Sequence, residues 1–65
     1  MRMIELTAES NSLEEKGVKT TINASNVLFL FSGQNEKGQW GTVVYFPDTH
    51  IWFEESYEKV KSLLS

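Results

Sequence analysis

The C-terminal part of the chain constrains the fold most, because it places two apolar strands, a tight turn and an amphipathic helix in immediate succession. Residues 39–46 and 50–54 are predicted as strands whose two faces are both largely apolar. The turn between them begins at Pro47, whose ring presets φ. Ser56 is a good N-cap, so a helix is predicted over residues 56–64. Every earlier segment must pair with this unit or pack against it.

Three further strands are predicted upstream of this unit. Residues 3–7 alternate apolar and polar, with Ile4 and Leu6 on one face, and residues 18–23 are rich in β-branched residues. Residues 27–31 are consecutive apolar residues between turn signals, and this pattern indicates a strand covered on both faces. A solvated face would carry a polar residue at every second position.

The connecting segments have compositions typical of loops. Residues 8–17 are polar and are predicted as a loop, although Ser12 and Glu15 have the capping-box spacing for one short helical turn. Residues 23–26 are a cluster of turn formers, so the chain is expected to bend there. Gly38 suits a positive φ at the end of a hairpin loop.

These elements predict an α+β fold in a single small domain of residues 1–65. The expected architecture is a small bent antiparallel sheet of four to five strands, a β-meander, followed by one C-terminal helix. A helix of about ten residues is roughly 15 Å long, so it covers only one face of such a sheet. The other face then requires either strong curling of the strands or a second copy of the chain.

The size and composition of the chain favour association with another chain. At 65 residues, the apolar area buried barely offsets roughly 1.5 kcal/mol of ordering entropy per residue. There is no cysteine, which excludes a disulfide and a zinc site built on thiolates. Because 40% of the residues are hydrophobic, we expect a homo-oligomer, a dimer or higher, or a bound host protein.

The charge and hydropathy of the chain restrict the expected class of partner and the expected cellular location. The formal net charge of −3 works against docking on a phosphate backbone, so nucleic acid is not the expected partner. The start of the chain lacks the apolar region of a signal peptide, and no stretch approaches the roughly 18 apolar residues of a membrane span. We therefore expect a cytoplasmic protein without a membrane segment.

The chain offers little material for catalysis. His50 is the only histidine, and it shares a strand face with Asp48 and Glu54, where an acid–base pair or a weak metal site is conceivable. A solvated histidine beside a turn is the commoner case. The Gly-x-Ser-x-Gly motif of hydrolases is absent, and the glycines follow no phosphate-loop spacing. The prediction is that the protein is not an enzyme and has no catalytic residue, metal or cofactor.

Large aromatic residues outside the helix-facing core are the better candidates for function. Trp40, Tyr45 and Trp52, together with Leu28 and Leu30, form the candidate protein interface, because such residues are enriched where proteins meet. Tyr45 and Trp52 are expected to be cross-strand neighbours. Burial in the protein's own core is the alternative, and base stacking in a single-strand binder is another.

Several segments together resemble the small FlbD-like proteins of flagellar and swarming operons and their uncharacterised relatives in phages and mobile elements. The matching positions are residues 3–7, Ile22 and Asn23 followed by Val27 and Leu30, residues 42–46, and residues 51–60. The chain differs in its longer loop at residues 8–17, in the turn at residues 47–49 and in the additional Trp40 and Trp52. The resemblance implies a small cytoplasmic accessory protein without catalytic residues, and the differences favour the phage or mobile-element branch.

Three functions follow as hypotheses. The first is a small non-catalytic protein-interaction module, an oligomerising phage or mobile-element accessory protein that binds and modulates a host protein. The second is an accessory protein of flagellar or swarming motility. The third is a single-strand nucleic-acid binder.

Overall fold

The computed structural model describes residues 2–9 and 17–65. It contains five strands and one C-terminal helix, which confirms the predicted α+β fold. The elements are β1 (Met3–Ala8), β2 (Val18–Asn23), β3 (Phe29–Gln34), β4 (Trp40–Tyr45), β5 (His50–Phe53) and α1 (Tyr57–Leu64), with a 3₁₀ helix (Ala24–Asn26) between β2 and β3. The short helical turn predicted at Ser12 lies outside the described residues.

All strand pairs are antiparallel, and the order across the sheet is β2-β1-β5-β4-β3. β3, β4 and β5 form a meander, and β1 and β2 form a hairpin. The two parts join where Ala8 of β1 pairs with Phe53 of β5. Consequently β2 and β3 are consecutive in the chain but lie at opposite edges of the sheet.

The third strand differs from its prediction in two ways. It begins at Phe29 and continues to Gln34, whereas the apolar run predicts residues 27–31. Val27 caps the 3₁₀ helix, and the strand extends over polar residues because pairing with β4 continues as far as Gln34 and Trp40. β3 is also an edge strand. The side chains of Phe29 and Phe31 remain 52% and 44% exposed, so the predicted covering of both faces is wrong for the single chain.

The core lies between the β1–β2 hairpin, the meander and the helix. Its buried apolar side chains are Ile4, Leu6, Ile22, Val44, Phe53 and Val60. The helix begins where predicted, since the Ser56 side chain accepts a hydrogen bond from the Lys59 N–H at 3.2 Å. The Arg2 guanidinium donates to the Leu63 and Leu64 carbonyls at the other end of the helix, where a positive charge is favoured by the helix dipole.

Glu55 links the start of the helix to the sheet. Its carboxylate accepts hydrogen bonds from the N–H and the Oγ1 of Thr7, both at 2.8 Å. Its carbonyl accepts a 2.8 Å hydrogen bond from Oγ1 of Thr42, whose side chain is fully buried. Burial alone would raise the pKa of the Glu55 carboxyl, but the hydrogen bonds from Thr7 and the charge of Lys59 outweigh it and leave that pKa lowered.

Candidate protein-interaction face

The register of β3, β4 and β5 divides their side chains between two faces. Thr42, Val44 and Phe53 point toward the core and the helix. The opposite face carries five aromatic side chains, and we call it the aromatic face. Its members are Phe29 and Phe31 on β3, Tyr45 on β4, and His50 and Trp52 on β5.

The rings of the aromatic face form a stacked row across three strands. Phe29 pairs with Tyr45, and Tyr45 pairs with His50. The ring centroids are 4.5 Å apart in the first pair and 4.7 Å apart in the second, with interplanar angles of 12° and 18°. The ring centroid of Phe31 lies 5.8 Å from that of Tyr45, at the β3 end of the row. The strand register thus places rings from separate parts of the sequence within favourable stacking distance.

Trp52 completes the face by lying across the sheet. Its register partner on β4 is Val43, but its indole Nε1 reaches β3 and donates to the Gly33 carbonyl at 3.2 Å. The ring passes over Gly41, where an added Cβ would lie 2.6 Å from Trp52 Cζ2. A glycine at position 41 is therefore required for this orientation, because any side chain there would displace the indole.

The aromatic face is open to solvent as far as the described residues show. Phe29 remains 52% exposed and Phe31 44% exposed, while the buried core cluster and Val60 of the helix lie on the opposite side of the sheet. None of the five members of the aromatic face is Asp, Glu, Lys or Arg. Two carboxylates border the face: Glu54 follows β5 on the side of Trp52, and Glu9 accepts a hydrogen bond from Nδ2 of Asn35 beyond the end of β3. The chain has no Asp, Glu, Lys or Arg between Lys19 and Glu36, nor between Lys37 and Asp48. An exposed apolar patch of this kind is characteristic of an interaction site.

The structure separates the predicted interface residues into two groups. Tyr45 and Trp52 both lie on the aromatic face, where they are diagonal neighbours on the adjacent strands β4 and β5. The Trp40 side chain lies on the same face of β4 as Thr42, which is the face toward the helix, and it is 66% exposed. Leu28 precedes β3 and is 62% exposed, whereas Leu30 packs against the core.

Three members of the aromatic face are absent from the predicted interface. Phe29 and Phe31 belong to the run interpreted as a strand covered on both faces, and His50 was considered only for its titration. In the structure His50 stacks on Tyr45, and residues 2–9 and 17–65 contain no group of three or more potential metal ligands. The usable sequence signals were the two glycines Gly33 and Gly41. The structure shows that they are register partners, which leaves room for a large ring on this face.

The outer edge of β3 is the second feature of this region. Asn35 N–H donates to the Gln39 carbonyl at 2.9 Å, which fixes the alternation of the ladder between β3 and β4. The backbone N–H and C=O groups of Leu30, Ser32 and Gln34 accordingly point away from β4, and we call them the β3 edge. β3 contains no charged residue and no proline, the residues that usually protect an exposed edge.

A cleft of about 590 Å³ lies between β2, the 3₁₀ helix and the β4–β5 turn. Its lining combines threonine hydroxyl and asparagine amide groups with apolar side chains such as Phe46 and Ile51 and with one carboxylate, that of Asp48. This arrangement brings together neither a nucleophile with a base nor a set of metal ligands.

Within the described residues, no helix is long and apolar enough to cross a membrane.

No protein-family model, curated protein or solved structure shows significant similarity to this chain. The resemblance to FlbD-like proteins therefore stays a prediction.

Proposed function

We propose that the protein is a small non-catalytic protein-interaction module that binds another protein through its aromatic face. The observation that carries this proposal is the row of aromatic rings on an exposed sheet surface. The centres of protein interfaces are depleted of charge and enriched in aromatic residues, and a few such rings supply most of the binding energy. His50 contributes as a stacked ring in this proposal and not as an acid or base.

The chemistry of the face indicates the kind of partner. Its centre is neutral and apolar, whereas Asp48 and Glu54 flank the two ends of β5. A partner with an apolar patch and a basic rim would complement this arrangement, and the net charge of −3 would accelerate its association. We place this interaction in the cytoplasm, where a chain without cysteine has no need of an oxidising compartment.

The biological setting of this proposal rests on the resemblance to FlbD-like proteins and to their relatives in phages and mobile elements. It is that of a phage or mobile-element accessory protein that binds and modulates a host protein. An accessory role in flagellar or swarming motility is the alternative, and it would use the same face.

The stacked rings also favour a second candidate function, binding of a single nucleic-acid strand. Aromatic rings on a sheet surface stack on bases in many such proteins. Those sites add a basic groove, whereas β3, β4 and β5 contain no Lys or Arg. Titration of a labelled oligothymidine at low salt separates the candidates, since single-strand binding requires an anisotropy increase that falls steeply with added salt.

The test of the proposed function removes rings without touching the core. The double variant Phe29→Ser/His50→Ser removes the two rings that stack on either side of Tyr45. Both substitutions lie on the aromatic face. We expect its affinity for a partner captured from host lysate to fall at least tenfold, because one interface aromatic commonly contributes more than about 1.4 kcal/mol. Circular dichroism should be unchanged.

The matched control is Met3→Ser, which removes an apolar side chain of similar exposure from β1, away from the face. It should retain full binding. A double variant that captures the same proteins with the same affinity as the wild type would refute the role of the aromatic face.

A further inference from the structure

We infer that two copies of the chain pair through their β3 edges, in antiparallel orientation, to form one continuous sheet with a two-fold axis at Ser32. This inference goes beyond the proposed function, because it assigns a second copy to the edge and leaves Tyr45, His50 and Trp52 of the aromatic face free for another protein. The dimer would place the two aromatic faces side by side on the same surface.

The unprotected state of β3 supports pairing at this edge. Proteins usually shield an exposed edge strand with charged residues, proline or a covering element. The other edge strand, β2, carries Lys19, which forms an ion pair with Glu5 at 3.6 Å. The six residues of β3 include no charged residue and no proline, and no strand of the described residues covers its outer edge. Its outward N–H and C=O groups recur at every second residue. Antiparallel addition of an identical strand satisfies these groups.

The spacing of the outward residues selects the register. Leu30, Ser32 and Gln34 are evenly spaced, so an axis at Ser32 pairs Ser32 with itself and Leu30 with Gln34 of the second copy. These three pairs supply about six backbone hydrogen bonds. Phe31 then lies opposite Gly33 of the second copy, where the absence of a side chain leaves space for the ring. The arrangement is self-complementary, as a two-fold interface requires.

The distribution of exposed apolar residues supports the same surface. Leu28, Phe29, Phe31 and Trp40 are the large exposed side chains on β3 or at its flanks. With about half of the roughly 150–250 Å² of each aromatic exposed, they offer on the order of 400 Å² per copy. A standard interface buries about 800 Å² per partner, so this dimer is expected to be reversible, with dissociation in the micromolar range.

Charge is compatible with self-association at this place. Two copies that each carry a net charge of −3 repel one another if their acidic regions meet. β3 and the segment leading into it contain no charged residue from position 20 to position 35. Pairing at the β3 edge thus joins the copies through an uncharged surface.

The first experiment places charges at the two-fold axis and measures mass by sedimentation equilibrium from micromolar to millimolar concentration. Ser32 is exposed, so Ser32→Lys and Ser32→Glu should both fold. Each variant alone should dissociate at least tenfold more readily than the wild type, because like charges face each other across the axis. An equimolar mixture of the two should regain the dimer.

The control is Thr21→Lys, which adds the same charge at the outward side of β2, and it should dimerise like the wild type. A wild-type protein that stays monomeric up to millimolar concentration would overturn the inference. So would a Ser32→Lys variant that dimerises as tightly as the wild type.

The second experiment uses the absence of cysteine in the chain. Directly opposed residues in a hydrogen-bonded pair have Cα atoms about 5.5 Å apart, which is within the range of a disulfide. Ser32→Cys should therefore form a covalent dimer under mild oxidation, whereas Thr21→Cys should not. Equal cross-linking of the two variants would contradict the register. Both experiments are independent of lysate capture, so they distinguish failure of the dimer from failure of the proposed function.

Discussion

Three elements meet at Glu55, which accepts two hydrogen bonds from Thr7 of β1 and one from Thr42 of β4 at the residue preceding the N-cap of the helix. Those from Thr7 go to the carboxylate, and they stabilise its ionised form. The pKa of the Glu55 carboxyl is consequently lowered from its ordinary value of 4.5. Since the folded state binds its proton less readily than the unfolded state, Glu55 stabilises the fold above pH 4.5, and this contribution is lost as the pH falls below it.

Glu55→Gln should therefore change the pH dependence of stability. We expect it to cost about 1 kcal/mol at pH 7 through the weakened hydrogen bonds to Thr7, and to differ little from the wild type at pH 3. Urea unfolding followed by circular dichroism at the two pH values measures both quantities. Glu36→Gln, in the exposed β3–β4 loop, removes the same charge and serves as the control. Parallel profiles for wild type and Glu55→Gln would contradict this role.

At the residue scale, the sequence predicts which side of a strand a residue occupies better than it predicts what that residue touches. The alternation along β4 separates Val44 from Tyr45, but because both faces are largely apolar it does not show which of them the helix covers. It could not show that Trp52 crosses Gly41 to reach Gly33, because that contact depends on the register of three strands at once. Gly33 and Gly41 are visible in the sequence, but their pairing across β3 and β4 is not.

At the scale of elements, the helix is the part with the most local information. Ser56 and the apolar spacing after it predicted residues 56–64, and the helix spans Tyr57–Leu64. β3 was predicted less well, because its limits are set by hydrogen bonding to β4 and not by its own apolar residues. Where an element is defined by its neighbours, the sequence of that element alone is insufficient.

The docking of the helix can be tested at Val60, which is fully buried against the core. Val60→Asp should lower the free energy of unfolding by several kcal/mol, because it places an unpaired carboxylate among apolar side chains. Thermal unfolding by circular dichroism measures the loss. Ser62→Asp adds the same charge on the exposed side of the helix and should melt close to the wild type. Equal melting of the two variants would show that the helix does not pack as described.

At the scale of the whole molecule, the decisive feature is that one helix covers one face of the sheet. This was expected from the length of the helix and the number of apolar strands. The pairing of β1 with β5 and the placement of β2 and β3 at opposite edges depend on contacts between distant residues, so local patterns could not supply them. In the part of the chain that the structure describes, the result is a protomer with an exposed aromatic face beside an uncovered strand edge.

Amide hydrogen exchange along β3 tests most directly whether two copies of the chain pair through their β3 edges. In a single copy the Ser32 N–H points to solvent, whereas the Phe31 N–H bonds to β4. We predict that protection at Leu30, Ser32 and Gln34 rises with protein concentration toward that of Phe31. Free exchange at Ser32 at millimolar concentration, with Phe31 still protected, would contradict the account.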